Sequence, residues 1–581
     1  MRQIYFLAFI FSFYYGNAQL HILPSNSGDS YIYLSDRFLY VEDDINLEKN
    51  NTPDTEASIY LRKESQLLQG EKSTNLNSGN GLIPVFQEGT SHAFDYNYWV
   101  LPVKDNISQK QFGAIFFQPK SITNSNPTRV TGSLEGTSNP FGISRRWIYK
   151  YSGREYNYWQ HVGVNFDVAP GEGFTMKGVN GTYNRIINGV ENNPDNKQRY
   201  DFRGLPNDGE IKVSINNDQN VLVGKPFPSA LHLQSFLMEN PASTGIAYFW
   251  DSRENGDSHH LKDYEGGYAS YSPGANAYVP AVLKIYNGAG EETGNSGETG
   301  GEIAREYSPI AQGFMLNGRN DGYIHFRSSQ RRFQQENSQT SEFKNQQRSE
   351  FPLLKLNIIV NNLYTRPLLL AFREDSSKDY DWAMDAKVYG VSQNDVGWNI
   401  EEALYNFQVR PFRKNDKIPL LINLAEDAEL SFQLDDFREF ENEDVYIFDA
   451  EVESYFRLNN DKFSIDLPKG NYSNRFFISF IEEKEDDLQF ELPKEELDFI
   501  IPEVLIVQNN LKAQLEIQML ETDIRQILLY DLNGQMIYNK TIPMETANYT
   551  LPTSGLQDAI YVLKLISSKN MEFTSKISIK N

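Results

Sequence analysis

Residues 511 to 519 alternate without a break. Leu511, Ala513, Leu515, Ile517 and Met519 fall on one face of an extended chain, and Lys512, Gln514, Glu516 and Gln518 on the other. Successive side chains of a strand point to opposite faces, so this period of two requires a strand with one face buried and one wet. The next segments obey the same rule. Ile527-Leu528-Leu529-Tyr530 and Met536-Ile537-Tyr538 flank Asn533-Gly534, a pair that accepts the positive φ of a tight hairpin turn. Ile560 to Ile566, a polar turn at Ser567 to Asn570, and a final run with Met571, Phe573, Ile577 and Ile579 on one face complete a compact set of strands.

Composition extends this reading to the whole chain. The 34 Tyr and 37 Phe suit pleated, half-buried surfaces, and 39 Gly with 25 Pro supply frequent turns. With 581 residues the chain is too long for one core and fits about three to four domains. The expected fold is all-β: several sandwich-like modules followed by a small C-terminal β-sandwich. The absence of cysteine excludes disulfides, thiolate metal sites and cysteine nucleophiles. A net charge of -24, from 78 acidic and 54 basic residues, argues against nucleic acid as a partner, because phosphate binding needs clustered Lys and Arg.

The tail, Val504 to Asn581, resembles the type A C-terminal sorting domain of the type IX secretion system. The residues that carry the resemblance are Ile527 to Tyr538 with Asp531, Asn533 and Gly534 at the turn, Tyr561-Val562-Leu563-Lys564-Leu565, and the last strand Phe573 to Lys580 with Lys576 and Lys580. Two departures stand out: Gln508-Asn509-Asn510 replaces the Asn-Pro with which the family often opens, and Ala559 stands where Gly is common. The resemblance implies handling by the type IX machinery and its sorting peptidase. It also implies removal of the tail at the surface, and a protein released or attached to the outer face of the outer membrane. The body resembles ectodomains of surface or secreted proteins that carry the same tail, and brings no activity with it.

The other end agrees. Met1-Arg2, the apolar run Ile4 to Tyr15 and the small residues Gly16-Asn17-Ala18 read as a secretory signal peptide over residues 1–18. The run is about a dozen residues, short of the roughly 20 that cross a bilayer as a helix, so no transmembrane anchor is expected in the mature chain.

Between the ends, residues 19–56 read as a leading region. Pro170 to Gly178 (PGEGFTMKG) is echoed by Ile310 to Gly318 (IAQGFMLNG) about 140 residues later. Tyr200-Asp201-Phe202-Arg203 and Ile324-His325-Phe326-Arg327 follow the two in the same order, and Trp99 to Val103 and Val223 to Pro228 precede them. Two diverged copies of one β module are therefore expected at 57–206 and 207–332, the alternative being chance recurrence of Gly-Phe turns. Gly288 to Gly301, rich in Gly, Glu, Ser and Thr, reads as a flexible acidic excursion from the second copy. A linker at 333–350, a β-sandwich module at 351–481, an acidic linker at 482–503 and the sorting domain at 504–581 complete the layout.

Chemistry is sparse. There is no Gly-x-Ser-x-Gly elbow, Walker loop, His-Glu-x-x-His or complete EF-hand loop, so no catalytic residue is assigned. Trp147, Tyr149, Tyr156, Tyr158 and Trp159 form an aromatic segment that either stacks on sugar rings or fills a core. Asp375, Asp379, Asp381 and Asp385 around Trp382 are spaced as calcium ligands or as turn formers, and calcium is the cofactor this spacing admits. Asp251, Glu254, Asp257, His259, His260 and Asp263 read as a solvated loop, with a metal as the alternative. Two functional classes follow: a non-catalytic adhesin or ligand-binding ectodomain contacting a glycan or another surface ligand, and an exported polysaccharide hydrolase. The export reading is tested directly. Deletion of Val504 to Asn581 leaves the chain in the periplasm on cell fractionation, and undiminished arrival at the surface or in the medium would remove the sorting role.

Overall fold

The computed structural model describes residues 19–52, 56–90, 92–104, 115–163, 167–181, 186–187, 190–191, 197–253, 256–301, 306–336, 351–438, 443–482, 504–509, 512–519, 524–531, 535–542, 548–567 and 572–579. The signal-peptide reading at 1–18, the remainder of the two linkers at 337–350 and 483–503, and Glu254, Asn533, Gly534 and Lys580 lie outside them. Strand accounts for 57% of the chain and helix for 4%, which makes the protein all-β. It divides into two compact units, Met1–Glu483 and Lys484–Asn581.

In the first unit, one sheet places Ile32–Ser35, Ile59–Arg62, Ile83–Thr90, Lys197–Pro206, Phe116–Pro119 and Ser125–Pro127 side by side. Ile59, Leu61, Val85, Phe116 and Phe202 belong to its buried core. A second sheet runs Trp159–His161, Tyr149–Gly153, Asn220–Gly224, Gly313–Gly318, Ser243–Ser252, Glu265–Ser272, Val282–Tyr286, Glu292–Thr299. Strands from both sides of residue 206 share this sheet. The leading region holds two short strands, Ile32–Ser35 and Phe38–Val41, because Asp36 turns the chain between them at φ 57°. The excursion at 288–301 also differs from expectation: Glu292–Thr299 is a strand paired with Val282–Tyr286. Irregular register lets its glycines into the ladder, and Lys284 Nζ donates to the Glu292 carboxylate at 2.7 Å.

The two Gly-Phe segments share a local pattern of pairing and turn. Gly173–Lys177 pairs antiparallel with Tyr96–Val100, placing Phe174 opposite Trp99, while Gly313–Gly318 pairs antiparallel with Asn220–Gly224, placing Phe314 opposite Val223. Each is preceded by the same turn, with Glu172 N–H donating to Ala169 O and Gln312 N–H to Pro309 O, and with Gly171 and Ala311 at φ 89° and 63°. Each turn also reaches the other's partner strand. Val100 N–H donates to Ala311 O at 2.9 Å, and Gly224 N–H to Gly171 O at 3.2 Å.

Residues 353–479 build a larger sheet. Leu353–Val360 alternates buried and half-buried residues along most of its length and turns through Asn361-Asn362, both at φ 51°, into Tyr364–Phe372. Asparagine tolerates that left-handed geometry. The hairpin Asn394–Ile400 to Ala403–Arg410 turns in two residues, Glu401-Glu402, also left-handed at φ 52° and 60°, where no sequence signal marks it.

The tail unit has a three-stranded and a four-stranded sheet. Leu515 and Ile517 are buried with Ile527, Leu529, Leu563 and Ile579, so the alternating face points inward as its pattern requires. Ala513 stands at φ 45°, and the strand begins at Gln514. Asp531 closes the hairpin: its N–H donates to Gln535 O and its carboxylate accepts from Gln535 N–H at 2.8 Å. Tyr561 is buried with its hydroxyl on Gln557 O, Lys564 lies half-buried in the strand Ala559–Ser567, and Lys576 is exposed.

A left-handed conformation costs a non-glycine residue roughly 1–2 kcal/mol. Glu402→Gly, at an exposed position, is therefore expected to stabilise the first unit by about 1 kcal/mol, measured as a rise in the midpoint of thermal unfolding.

Candidate functional site

The aromatic segment forms a hairpin. Tyr149–Gly153 pairs antiparallel with Trp159–His161, setting Tyr149 opposite His161 and Tyr151 opposite Trp159, with ring centroids 5.1 and 4.7 Å apart. Tyr149 and Tyr151 share a face because they are two residues apart in a strand. The turn between the strands carries Tyr156–Tyr158 as a single 3-10 turn. Thr175, in the first Gly-Phe strand, holds the hairpin's start: its hydroxyl donates to Trp147 O at 2.9 Å and accepts from Tyr149 N–H at 3.2 Å.

These residues face a cavity of about 800 Å³, within the roughly 300–1,000 Å³ of ligand pockets. Trp147, Tyr149, Tyr156 and Trp159 line it. Tyr158 is not among the lining residues; its ring packs on Gly153, where an added Cβ would come within 2.1 Å of it. The opposite walls come from distant parts of the chain: Tyr96 and Tyr98, Trp250, Tyr264 and Tyr268, Lys284, Tyr286 and Glu292, Arg366, Tyr389 and Asn406. Tyr98 stacks with Trp250 at 6.3 Å and an interplanar angle of 11°, and its hydroxyl shares a 2.6 Å hydrogen bond with that of Tyr268. Tyr389 meets Tyr268 at 4.5 Å. The composition gave the abundance of rings, but no local pattern tied Trp250, Tyr268 and Tyr389 to Trp147.

Behind one wall lies Lys177, with only 2% of its surface exposed. Its ammonium group is 4.1 Å from the Trp147 ring centre and 4.7 Å from those of Tyr96 and Tyr264, and it donates to His259 Nδ1 at 3.0 Å. His259 in turn stacks on Trp147, centroids 5.0 Å apart and planes 12° from parallel. Burial lowers the Lys177 pKa to about 7, against an opposing pull from Asp95. Burial, Lys177 and His260 together lower that of His259 to about 4. Neutral His259 thus accepts a hydrogen bond from Lys177 at Nδ1 and carries its own proton on Nε2, 4.0 Å from Glu135.

The buried charges on the far wall are paired. Lys284 Nζ contacts Glu292 at 2.7 Å and also Ser392, and Arg366 forks onto Asp395 with two bonds of 2.7 Å. Such forks satisfy the geometry of both groups.

The Asp375 to Asp385 loop is held differently. Arg373 forks onto Asp375 at 2.9 and 2.6 Å, Asp381 accepts from Ser377 N–H at 2.5 Å, and Asp385 accepts from the N–H groups of Asp381 and Val409, both at 2.7 Å. Asp379 is exposed, and its backbone oxygen accepts from the Ser377 hydroxyl. Among the described residues no three His, Asp or Glu side chains gather closely enough to hold a metal ion. The His259 loop likewise disperses its groups, with Asp263 accepting from Ser258 and Asp251 from Gly301 N–H.

The protein is thus an all-β chain with a deep aromatic cavity and a separate C-terminal unit. Residues 509–580 match the secretion system C-terminal sorting domain, which implies that the secretion machinery handles the chain and exports it. Residues 26–480 match a domain of unknown function, DUF8693, and the chain belongs to that family. One solved structure, titled "Biofilm associated protein - BSP domain", aligns at 9% identity over 88% of this chain and 96% of its own, with a TM-score of 0.11, too low to carry over a fold or a role. No curated protein matches the chain. No helix among the described residues is long and apolar enough to cross a membrane.

A lysine with its pKa lowered from 10.5 to about 7 binds a proton less readily folded than unfolded. Stability therefore falls as pH drops from about 10.5 to about 7. Lys177→Met, which keeps the buried chain length and removes the titrating group, is expected to show a flatter fall than the native protein across that window, read from unfolding midpoints at a series of pH values.

Proposed function

We propose that the exported chain works at the cell exterior, released or surface-attached, as a non-catalytic, adhesin-like protein that binds a glycan or another surface ligand in the aromatic cavity. The observation that carries this reading is the enclosure itself: rings from five separate stretches of sequence converge on about 800 Å³ of space. A large surface of Tyr and Trp offers contact area at low entropic cost and polar edges for orientation. The hairpin bearing Trp147 and Tyr149 crosses from the first Gly-Phe segment to the sheet of the second, which supports reading 57–206 and 207–332 as diverged copies whose junction became the site.

The hydrolase alternative asks more. Glycoside hydrolysis needs two carboxyl groups flanking the scissile bond. The cavity's acids are Glu155, exposed on the hairpin turn, and Glu292, engaged by Lys284. The Asp375 to Asp385 loop is better described as a turn fixed by its own carboxylates than as a calcium site.

Glycan-array binding and reducing-sugar release on the same purified protein separate the two classes. Binding without turnover is expected, and Trp159→Ala abolishes it while leaving the unfolding transition cooperative. Turnover that disappears on replacing Glu155 or Glu292 would make the protein an enzyme.

A further inference from the structure

The walls of the cavity are rich in polar groups, and their buried charges are compensated at contact distance. Lys284, with 5% of its side chain exposed, has the Glu292 carboxylate at 2.7 Å. Arg366, with the same side-chain exposure, is forked by Asp395, whose side chain is wholly buried. An anionic ligand would therefore meet cations already neutralised at contact distance, and a cationic ligand would meet Glu292 already bonded. Either would lose its hydration in the buried part of the cavity without gaining a free charged partner there. The arrangement of rings that attracts a cation is filled as well. Tyr96, Trp147 and Tyr264 surround the protein's own Lys177, whose Nζ lies 4.1 to 4.7 Å from their centres.

Away from Arg154 and Glu155, which are exposed on the hairpin turn, what remains for a ligand to bond is uncharged. Tyr96, Tyr149 and Tyr389 line the cavity, and their hydroxyls have no hydrogen-bond partner among the described residues. A phenol both donates and accepts. Ring faces next to hydroxyls of both senses complement a ligand whose own faces are apolar and whose edges carry hydroxyl groups.

We propose that the cavity selects uncharged oligosaccharide, with sugar rings stacked on the Tyr149 and Trp159 side and hydroxyls bonded by Tyr96, Tyr149 and Tyr389. This rests on the reading of the cavity as the ligand site and narrows it to one class. The paired charges of Lys284, Glu292, Arg366 and Asp395 act as the filter against acidic sugars and quaternary amines, because none of them is available to a ligand without breaking a buried ion pair.

The test uses the purified full chain and three sets of probes: neutral gluco-, xylo- and manno-oligosaccharides, oligogalacturonates, and choline. Calorimetry is expected to detect a neutral set alone. Tyr149→Phe, which removes one hydroxyl and keeps the ring, weakens binding about fivefold, and Trp159→Ala abolishes it. Oligogalacturonate or choline binding in preference to the neutral sugars, weakened by Trp159→Ala, would overturn the proposed class while leaving the cavity as the site. Neutral-sugar binding indifferent to both substitutions, or no binding of any probe by the folded protein, would overturn the class and the site together.

Discussion

The reciprocal contact between the two Gly-Phe strands is the constraint on which the first unit depends. Each strand pairs with its own partner while the turn before it hydrogen-bonds to the partner of the other, through Val100 to Ala311 and Gly224 to Gly171. That approach leaves no room for side chains. A Cβ on Gly173 would stand 2.7 Å from Leu222, and one on Gly313 3.0 Å from the Trp99 carbonyl oxygen. Glycine at both positions lets backbone meet backbone, and the turns take positive φ at Gly171 and Ala311. Once the two segments are locked in this way, Tyr96 and Tyr98 of one strand are set against the sheet that carries both the Tyr149 hairpin, clamped by Thr175, and Trp250 and Tyr268. The cavity is the space left between them.

Several buried charges of the body are handled by the same device, an ion pair. Asp201 is wholly buried between Arg62 and Arg203, Asp208 takes Arg331 at 2.8 Å, and Asp395 takes Arg366. A chain without cysteine cannot fix distant strands covalently, and these pairs do so by geometry instead. Buried pairs add little net stability because desolvation offsets attraction, yet a mispaired arrangement would strand a buried charge, so they enforce one register over others. Near the cavity the same device keeps the walls electrically quiet.

Much of the fold was legible where local chemistry and tertiary burial agree. Leu353–Val360 and Ile418–Leu424 have the bounds their apolar patterns indicate, and Leu515 and Ile517 are buried as their alternation requires. The pattern misled where local signals were absent or ambiguous. Glu401-Glu402 turns a hairpin that its residues do not favour, and so the strand Asn394–Ile400 went unread. The Gly-rich run 288–301 looked flexible, but pairing with Val282–Tyr286 and the Lys284 contact with Glu292 give it a strand. In the Asp375 to Asp385 loop, spacing could not tell ligands from turn formers, and the backbone N–H groups that Asp381 and Asp385 accept come from residues that only the folded loop brings to them.

By itself the sequence determined the all-β class, the sorting tail and the concentration of aromatic residues around 147–161, because strand period, turn residues and composition act over a few positions at a time. It left open whether those rings were core or contact surface. Tertiary structure puts Trp147, Tyr149, Tyr156 and Trp159 on the wall of a cavity, which turns on what lies across from them: Trp250, Tyr268, Tyr286 and Tyr389 arrive from stretches far along the chain, and Tyr158, beside Trp159 in sequence, is taken up by Gly153. Whether a ring is core or wall is a property of the space opposite it, and that space exists only when remote segments meet.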